Sequence, residues 1–142
     1  MNLFFDTSSL FKLYHQEDGT EELLNLFATK NIEKIFIAEI TIVEFSSAVW
    51  KKCRKKEIDV DIANLLIAKF DADIVKYSIV PTMGIIHKNA SRLIMKYWHL
   101  GLRTLDSIQL ASVLELKPKV GLFLTSDKIL SKIAVIEGLS VS

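Results

Sequence analysis

The chain has a single cysteine, Cys53, among 142 residues. One thiol excludes an intramolecular disulfide and a cysteine-based zinc cage, and it fits a reducing, cytoplasmic setting. Histidine is also scarce, and His15, His87 and His99 stand at no metal-ligand spacing. Long apolar runs are missing: "IFIA" and "VGLFL" fall far short of the roughly 18 residues that a spanning helix requires. With an acid and several polar residues among the first ten, neither a signal peptide nor a membrane span is expected. Charge of one sign is lacking as well. The 18 basic and 17 acidic residues leave a net +1, so any affinity for a polyanion has to come from a local patch.

Two prolines and five glycines leave little room for loops, and there is no repeat, linker or low-complexity stretch. What the chain does have is apolar surface, at 50% of its residues. That proportion suits a sheet covered on both faces or an apolar subunit interface, so a homodimer is expected. The length fits one domain over residues 1–142.

Short apolar runs alternate with helical periodicity. "NLFF" (2–5), "KIFIAEI" (34–40), "SIV" before Pro81 and "VGLFLTSD" (120–127) read as strands, with "LSVS" as an edge strand. Helices are expected over "DTSSLFKLY", over "EELLNLFATK" with Thr20 as cap, and over 41–56 with Thr41 and Glu44 as a capping box. Further helices are expected over 60–77, over 84–100 up to Gly101, over 102–116 with Thr104 as cap, and over "KILSKIAVIEG". Strands alternating with helices predict an α/β sandwich with a mainly parallel sheet.

"LRTLDSIQLASVLEL" (102–116) is apolar nearly all round, yet Asp106 falls on the wheel between Val113 and Leu110, roughly 20° and 40° away. A lone carboxylate there is costly unless it is hydrogen-bonded, paired or bound to a metal. Asp6 and Asp127 each follow a strand directly, and Glu44 lies in the first turn of the helix after the second strand. In an open parallel sheet these positions lie along the edge formed by the strands' C-terminal ends, where ligands bind. Each acid also has an ordinary reading as a cap or a first-turn acid that complements the helix dipole. Burial favours a shared site: acids meeting in a dry place raise one another's pKa and call for a positive partner. No lysine or arginine is obviously placed among them, although Lys12, Arg103 and Lys128 are near in sequence. A hard divalent cation, Mg²⁺ or Mn²⁺, suits an all-oxygen donor set.

"KKCRKK" (51–56) puts five cations into six residues. It is either a solvated helix end that complements the dipole, or, through Lys51, Lys52 and Arg54, a contact with an RNA backbone. Arg103 has two readings as well: a grip on a substrate phosphate, or a pair with a nearby acid. Trp50, Trp98 and Tyr97, in helices with apolar neighbours, are expected to pack in the core or at a subunit contact.

"LFFDTSSLFKLY", "ITIVEFSSAVWKK", "LRTLDSIQLASVLEL" and "LFLTSDKILSKIAVIEGLSV" together resemble, in order, the successive motifs of PIN-domain proteins, in particular the VapC-like ribonuclease toxins. The resemblance runs from residue 2 to about 141, with little motif information between about 57 and 100. It implies a three-layer sandwich, with a mainly parallel central sheet flanked by helices, and an acidic pocket for one or two Mg²⁺ or Mn²⁺ ions. Asp6, Glu44, Asp106 and Asp127 match the family's four acidic positions, Asp127 at the position that varies most within it. Thr125 and Ser126 match hydroxyl-bearing positions beside the last acid, where they would orient water. The implied activity is metal-dependent hydrolysis of RNA phosphodiesters that leaves 5′-phosphate and 3′-hydroxyl ends. The implied partner is a small antitoxin that blocks the groove; an RNA-processing nuclease without an antitoxin is the alternative. Two readings from other classes compete. A Mg²⁺-binding receiver-like domain would want paired acids after its first strand, where "NLFFDTS" offers one, and in a non-catalytic interaction module the acids would be caps only.

Overall fold

The computed structural model describes all of residues 1–142. β1 (Asn2–Phe5) is apolar after its first residue and buried from Leu3 onward, as a strand covered on both faces must be. There follow α1 (Thr7–Phe11), α2 (Thr20–Thr29), β2 (Lys34–Ala38), α3 (Thr41–Arg54), α4 (Val60–Asp73) and β3 (Ser78–Val80). The chain continues through α5 (Gly84–Tyr97), α6 (Thr104–Glu115), β4 (Leu122–Leu124) and α7 (Lys128–Ile136).

The strands form one parallel sheet in the order β3-β2-β1-β4. Phe5 pairs with Ile37 on one side and with Leu124 on the other, so the ends of β1, β2 and β4 lie level. The expected edge strand at the C-terminus is present only as a short parallel contact of Val141 with Phe123. Alternation along β1 feeds two cores. Phe4 and Phe123 meet edge to face on the side covered by α5, α6 and α7. Leu3 and Phe5 face α1, α2, α3 and α4, where Phe45 stacks on Phe70 at 4.2 Å between ring centres. Each such fully buried phenylalanine contributes about 1.5–3 kcal/mol of transfer free energy.

From β1 to β3 the chain steps one way across the sheet; it then returns past β1 to β4 with its helices on the other face. A constant crossover hand requires this change of face when the direction of travel reverses. The reversal leaves a crevice beyond the C-terminal ends of β1 and β4.

Three expected caps are displaced by one residue. Gly19, at φ 95°, starts α2, and the Thr20 hydroxyl instead donates to Lys12 O and accepts from Glu17 N–H. Ile40 precedes α3, so Thr41 is buried inside the first turn and Glu44 closes no capping box. Arg103 precedes α6, and the Thr104 carbonyl accepts the Ser107 hydroxyl. Strand β4 is three residues long, because "TSD" leaves the sheet to make the turn into α7. α1 ends at Phe11, while α4 and α5 tighten into 3-10 turns after Asp73 and Tyr97. Tyr97 is buried as expected, whereas Trp50 and Trp98 are exposed. No helix is long and apolar enough to cross a membrane.

Candidate active site

Asp6 is the first residue beyond β1, and its backbone N–H donates to Leu124 O at the end of β4. It caps α1: Oδ1 accepts from Ser9 N–H at 2.9 Å and from the Ser8 hydroxyl at 2.7 Å, while Oδ2 accepts from the Thr125 hydroxyl. Only 4% of the residue is exposed, and burial pushes its pKa up to about 6 against those three hydrogen bonds, with the charge of Asp106 acting in the same direction. Thr125 also accepts from Asp127 N–H at 3.1 Å, and Ser126 N–H donates to Ser8 Oγ at 3.1 Å. These contacts bind the turn after β1 to the turn after β4. The Thr125 hydroxyl is therefore committed to Asp6, and Ser126 takes part through its backbone.

Asp127 caps α7, with Oδ1 accepting from Leu130 N–H at 2.7 Å. Its Oδ2 lies 3.8 Å from Nη2 of Arg103, whose Nε lies 3.6 Å from Oδ2 of Asp106. Arg103, near the acids in sequence and open there to pairing with one of them, spans two of them while its own side chain stays 79% exposed. The Asp106 side chain is 24% exposed, at the rim of the apolar sector rather than inside it. Its pKa is raised first by burial and then by the charges of Asp127 and Glu44, with Arg103 opposing the rise.

Glu44 turns inward. Its Oε1 accepts from the Thr7 hydroxyl at 2.9 Å and from Gln109 Nε2 at 2.7 Å. Gln109 is buried, and its amide nitrogen also lies 2.9 Å from Thr41 Oγ1 and 3.2 Å from Thr7 Oγ1. Neither Thr7 nor Gln109 belongs to the set expected from sequence. A signal for Gln109 was present: it follows Asp106 by three residues, on the same helical face, as an amide in an otherwise apolar segment.

Asp6, Glu44, Asp106 and Asp127 all line one cleft of about 840 Å³. Lys51 and Lys52 line it too, whereas Arg54 lies outside it, in an adjoining groove that Lys51 also borders. No three acidic, histidine or cysteine groups form a ready-made metal cage. Mg²⁺ and Mn²⁺ do not require one, since Mg²⁺ in particular keeps several waters and binds through one or two carboxylates. Asp106 feels the charges of the other three acids, and the carboxylate donor set matches such an ion.

Comparison with known proteins bears on the whole chain. Its fold is similar to that of VapC20 of Mycobacterium tuberculosis, described as a Sarcin-Ricin loop cleaving toxin, at TM-score 0.70 and 13% identity over 96% of this chain and 95% of that one. It is also similar to FitAcB from Neisseria gonorrhoeae, at TM-score 0.73 and 14% identity over 98% and 95% of the two chains. A toxin-antitoxin complex from Klebsiella pneumoniae shares the fold at TM-score 0.61 and 18% identity over 88% and 86%. No curated protein matches the chain by sequence. The family model for the PIN domain matches residues 3–136, and on that match the chain belongs to the PIN domain family.

Proposed function

We propose that this chain is a Mg²⁺- or Mn²⁺-dependent endoribonuclease, the toxin of a toxin–antitoxin pair, acting as a single domain in the cytoplasm. The observation that carries the reading is the meeting of Asp6, Glu44, Asp106 and Asp127 in one cleft at the crevice between β1 and β4, in a PIN-family chain. The similarity to a toxin described as cleaving the Sarcin-Ricin loop supports an RNA substrate, and the similarity to a toxin-antitoxin complex supports an antitoxin partner. Exposed Met95, in the last turn of α5, and Trp98, just beyond it, support a homodimer contact.

A divalent cation held by Asp106 with its neighbouring acids would supply water activation and charge neutralisation at the phosphodiester. The chain's own residues fix the geometry. Asp6 is held by three donors and cannot swing, and Glu44 is held through one oxygen only, leaving Oε2 free to face the cleft. Arg103, exposed at the rim, is placed to turn from the carboxylates to a substrate phosphate, which a guanidinium binds in a bidentate manner.

The test is cleavage of RNA by the purified chain with Mg²⁺ or Mn²⁺ and with a chelator. Cleavage is expected only with the metal, with 5′-phosphate and 3′-hydroxyl ends, and Asp106→Asn is expected to abolish it while the fold is kept. Cyclic phosphate ends, or cleavage by Asp106→Asn, would overturn the mechanism. The toxin role is tested by growth arrest on expression, relieved by the product of a short neighbouring reading frame.

A further inference from the structure

The sequence presents "KKCRKK" as one block of cations, and the fold sorts it. α3 runs from the acids to this block: Lys51 follows Glu44 by about 10 Å of helical rise, and Lys55 by about 16 Å. The cleft that holds the acids continues along the helix to both lysines. Lys52 is already paired, at 3.5 Å from Glu17 and 3.3 Å from Glu57, and its ammonium also lies over the Phe11 ring. Neither Lys51 nor Lys55 has a carboxylate within ion-pair distance; Arg54 does not line the cleft and faces an adjoining groove beside Trp50, at whose junction with the cleft Lys51 stands.

The cleft thus has an acidic end and, along one helix, an end with two uncompensated cations. With a divalent cation on the acids, a polyanion lying along α3 would suit both ends at once: one of its phosphates would meet the cation and others, further along the strand, would reach the lysines. We infer that Lys51 and Lys55 hold the backbone of single-stranded RNA on one side of the scissile phosphate. Lys52 instead ties the end of α3 to the segments before α2 and α4, and Arg54 takes no part. This inference rests on the endoribonuclease reading and adds to it the helix along which the strand lies.

The test is binding of a labelled single-stranded RNA to the Asp106→Asn protein in Mg²⁺, followed by fluorescence anisotropy across a salt series. Each lost phosphate contact lowers the slope of log K against log salt by about 0.7 for a single strand. Lys51→Ala with Lys55→Ala is expected to lower the slope by about 1.4, whereas Arg54→Ala leaves it unchanged. Lys52→Ala is expected to lower the melting temperature and to leave the slope within error. An unchanged slope in the double variant, or an equal fall in Arg54→Ala, overturns the strand track while wild-type cleavage leaves the endoribonuclease reading standing. Loss of antitoxin binding in the double variant with the RNA slope intact overturns the track in favour of a protein occupant. A chain that neither binds nor cleaves RNA overturns both.

Discussion

Nε2 of Gln109 stands 2.7 Å from Oε1 of Glu44, while the carbonyl oxygen of the same amide is buried without a partner. An unsatisfied buried acceptor costs about 1–3 kcal/mol, and a leucine at this position would avoid it. The amide's compensation is that it fixes Glu44, together with Thr7 and Thr41, relative to α6. Gln109→Leu is therefore expected to melt within a few degrees of wild type while losing about 10- to 100-fold in Mn²⁺ affinity or activity, the usual cost of removing a group that orients a ligand. Mn²⁺ titration followed by electron paramagnetic resonance measures it. Unaltered affinity with unaltered cleavage would mean that Glu44 needs no such support.

Arg103 is the one cation in contact with the acids, at 3.6 Å from Asp106 and 3.8 Å from Asp127. Without it the carboxylates repel one another with no counter-charge in place, so an added cation gains more by binding. Arg103→Ala is expected to show a larger rise in melting temperature on addition of Mg²⁺ than wild type, read by scanning fluorimetry. A smaller rise would show that the arginine assists the ion rather than standing in for it.

Asp6 gives the metal-free protein a distinctive pH dependence. Its folded pKa of about 6 lies above the unfolded value near 3.9, so the protonated form is the one favoured by folding. The stabilisation is complete below pH ~4 and is lost as the pH rises through 6, a change on the order of 2–3 kcal/mol. Asp106, raised as well, acts in the same direction. Asp73, held low by hydrogen bonds from Lys76 and Tyr14, and Glu137, held low against its burial by those from Lys96 and Tyr97, act in the opposite sense, losing stability as the pH falls. The Asp6 contribution is therefore read as a difference: in urea unfolding with chelator, wild type minus Asp6→Asn should lose stability between about pH 4 and about pH 7 and be flat above it. A flat difference would remove burial as the source of the shift.

The parts of this molecule that depend on short-range pattern were legible in its sequence. Apolar runs mark all four strands, and α6, apolar nearly all round in sequence, is covered from Ser107 through Val113. The caps were misread where a threonine begins a helix, because Thr20, Thr41 and Thr104 each stand one residue inside it and use their polar groups elsewhere. Caps at Asp6 and Asp127 and the acidic cleft exist together: each aspartate gives one oxygen to its helix, while the other is held by Thr125 in Asp6 and lies beside Arg103 at the rim of the cleft in Asp127. That double use made the structural and functional readings look like rivals. The Arg103–Asp106 pair stands at a local spacing of three residues, but the reach of Arg103 to Asp127 and the brace by Gln109 depend on which side chains the fold brings across from α1, α3 and α7, and no local spacing encodes those.

Thr125 allows the sharpest separation of a structural role from a chemical one. Its hydroxyl donates to Asp6 Oδ2 and accepts from Asp127 N–H at 3.1 Å, so one oxygen joins two of the acids. Thr125→Val keeps the shape and deletes both contacts, leaving a buried charged carboxylate short of a donor and an N–H without its acceptor. A loss of about 1–3 kcal/mol is expected at pH 7.5. Below pH 5 the loss should shrink, because a protonated Asp6 no longer carries the charge that the hydroxyl stabilises. Thr125→Ser, which retains the hydroxyl, is expected to restore both stability and cleavage. If the valine and serine variants melt alike across this pH range, the hydroxyl is not what holds Asp6, and the join between the β1 and β4 turns must rest on the backbone contact of Asp6 N–H with Leu124 O instead.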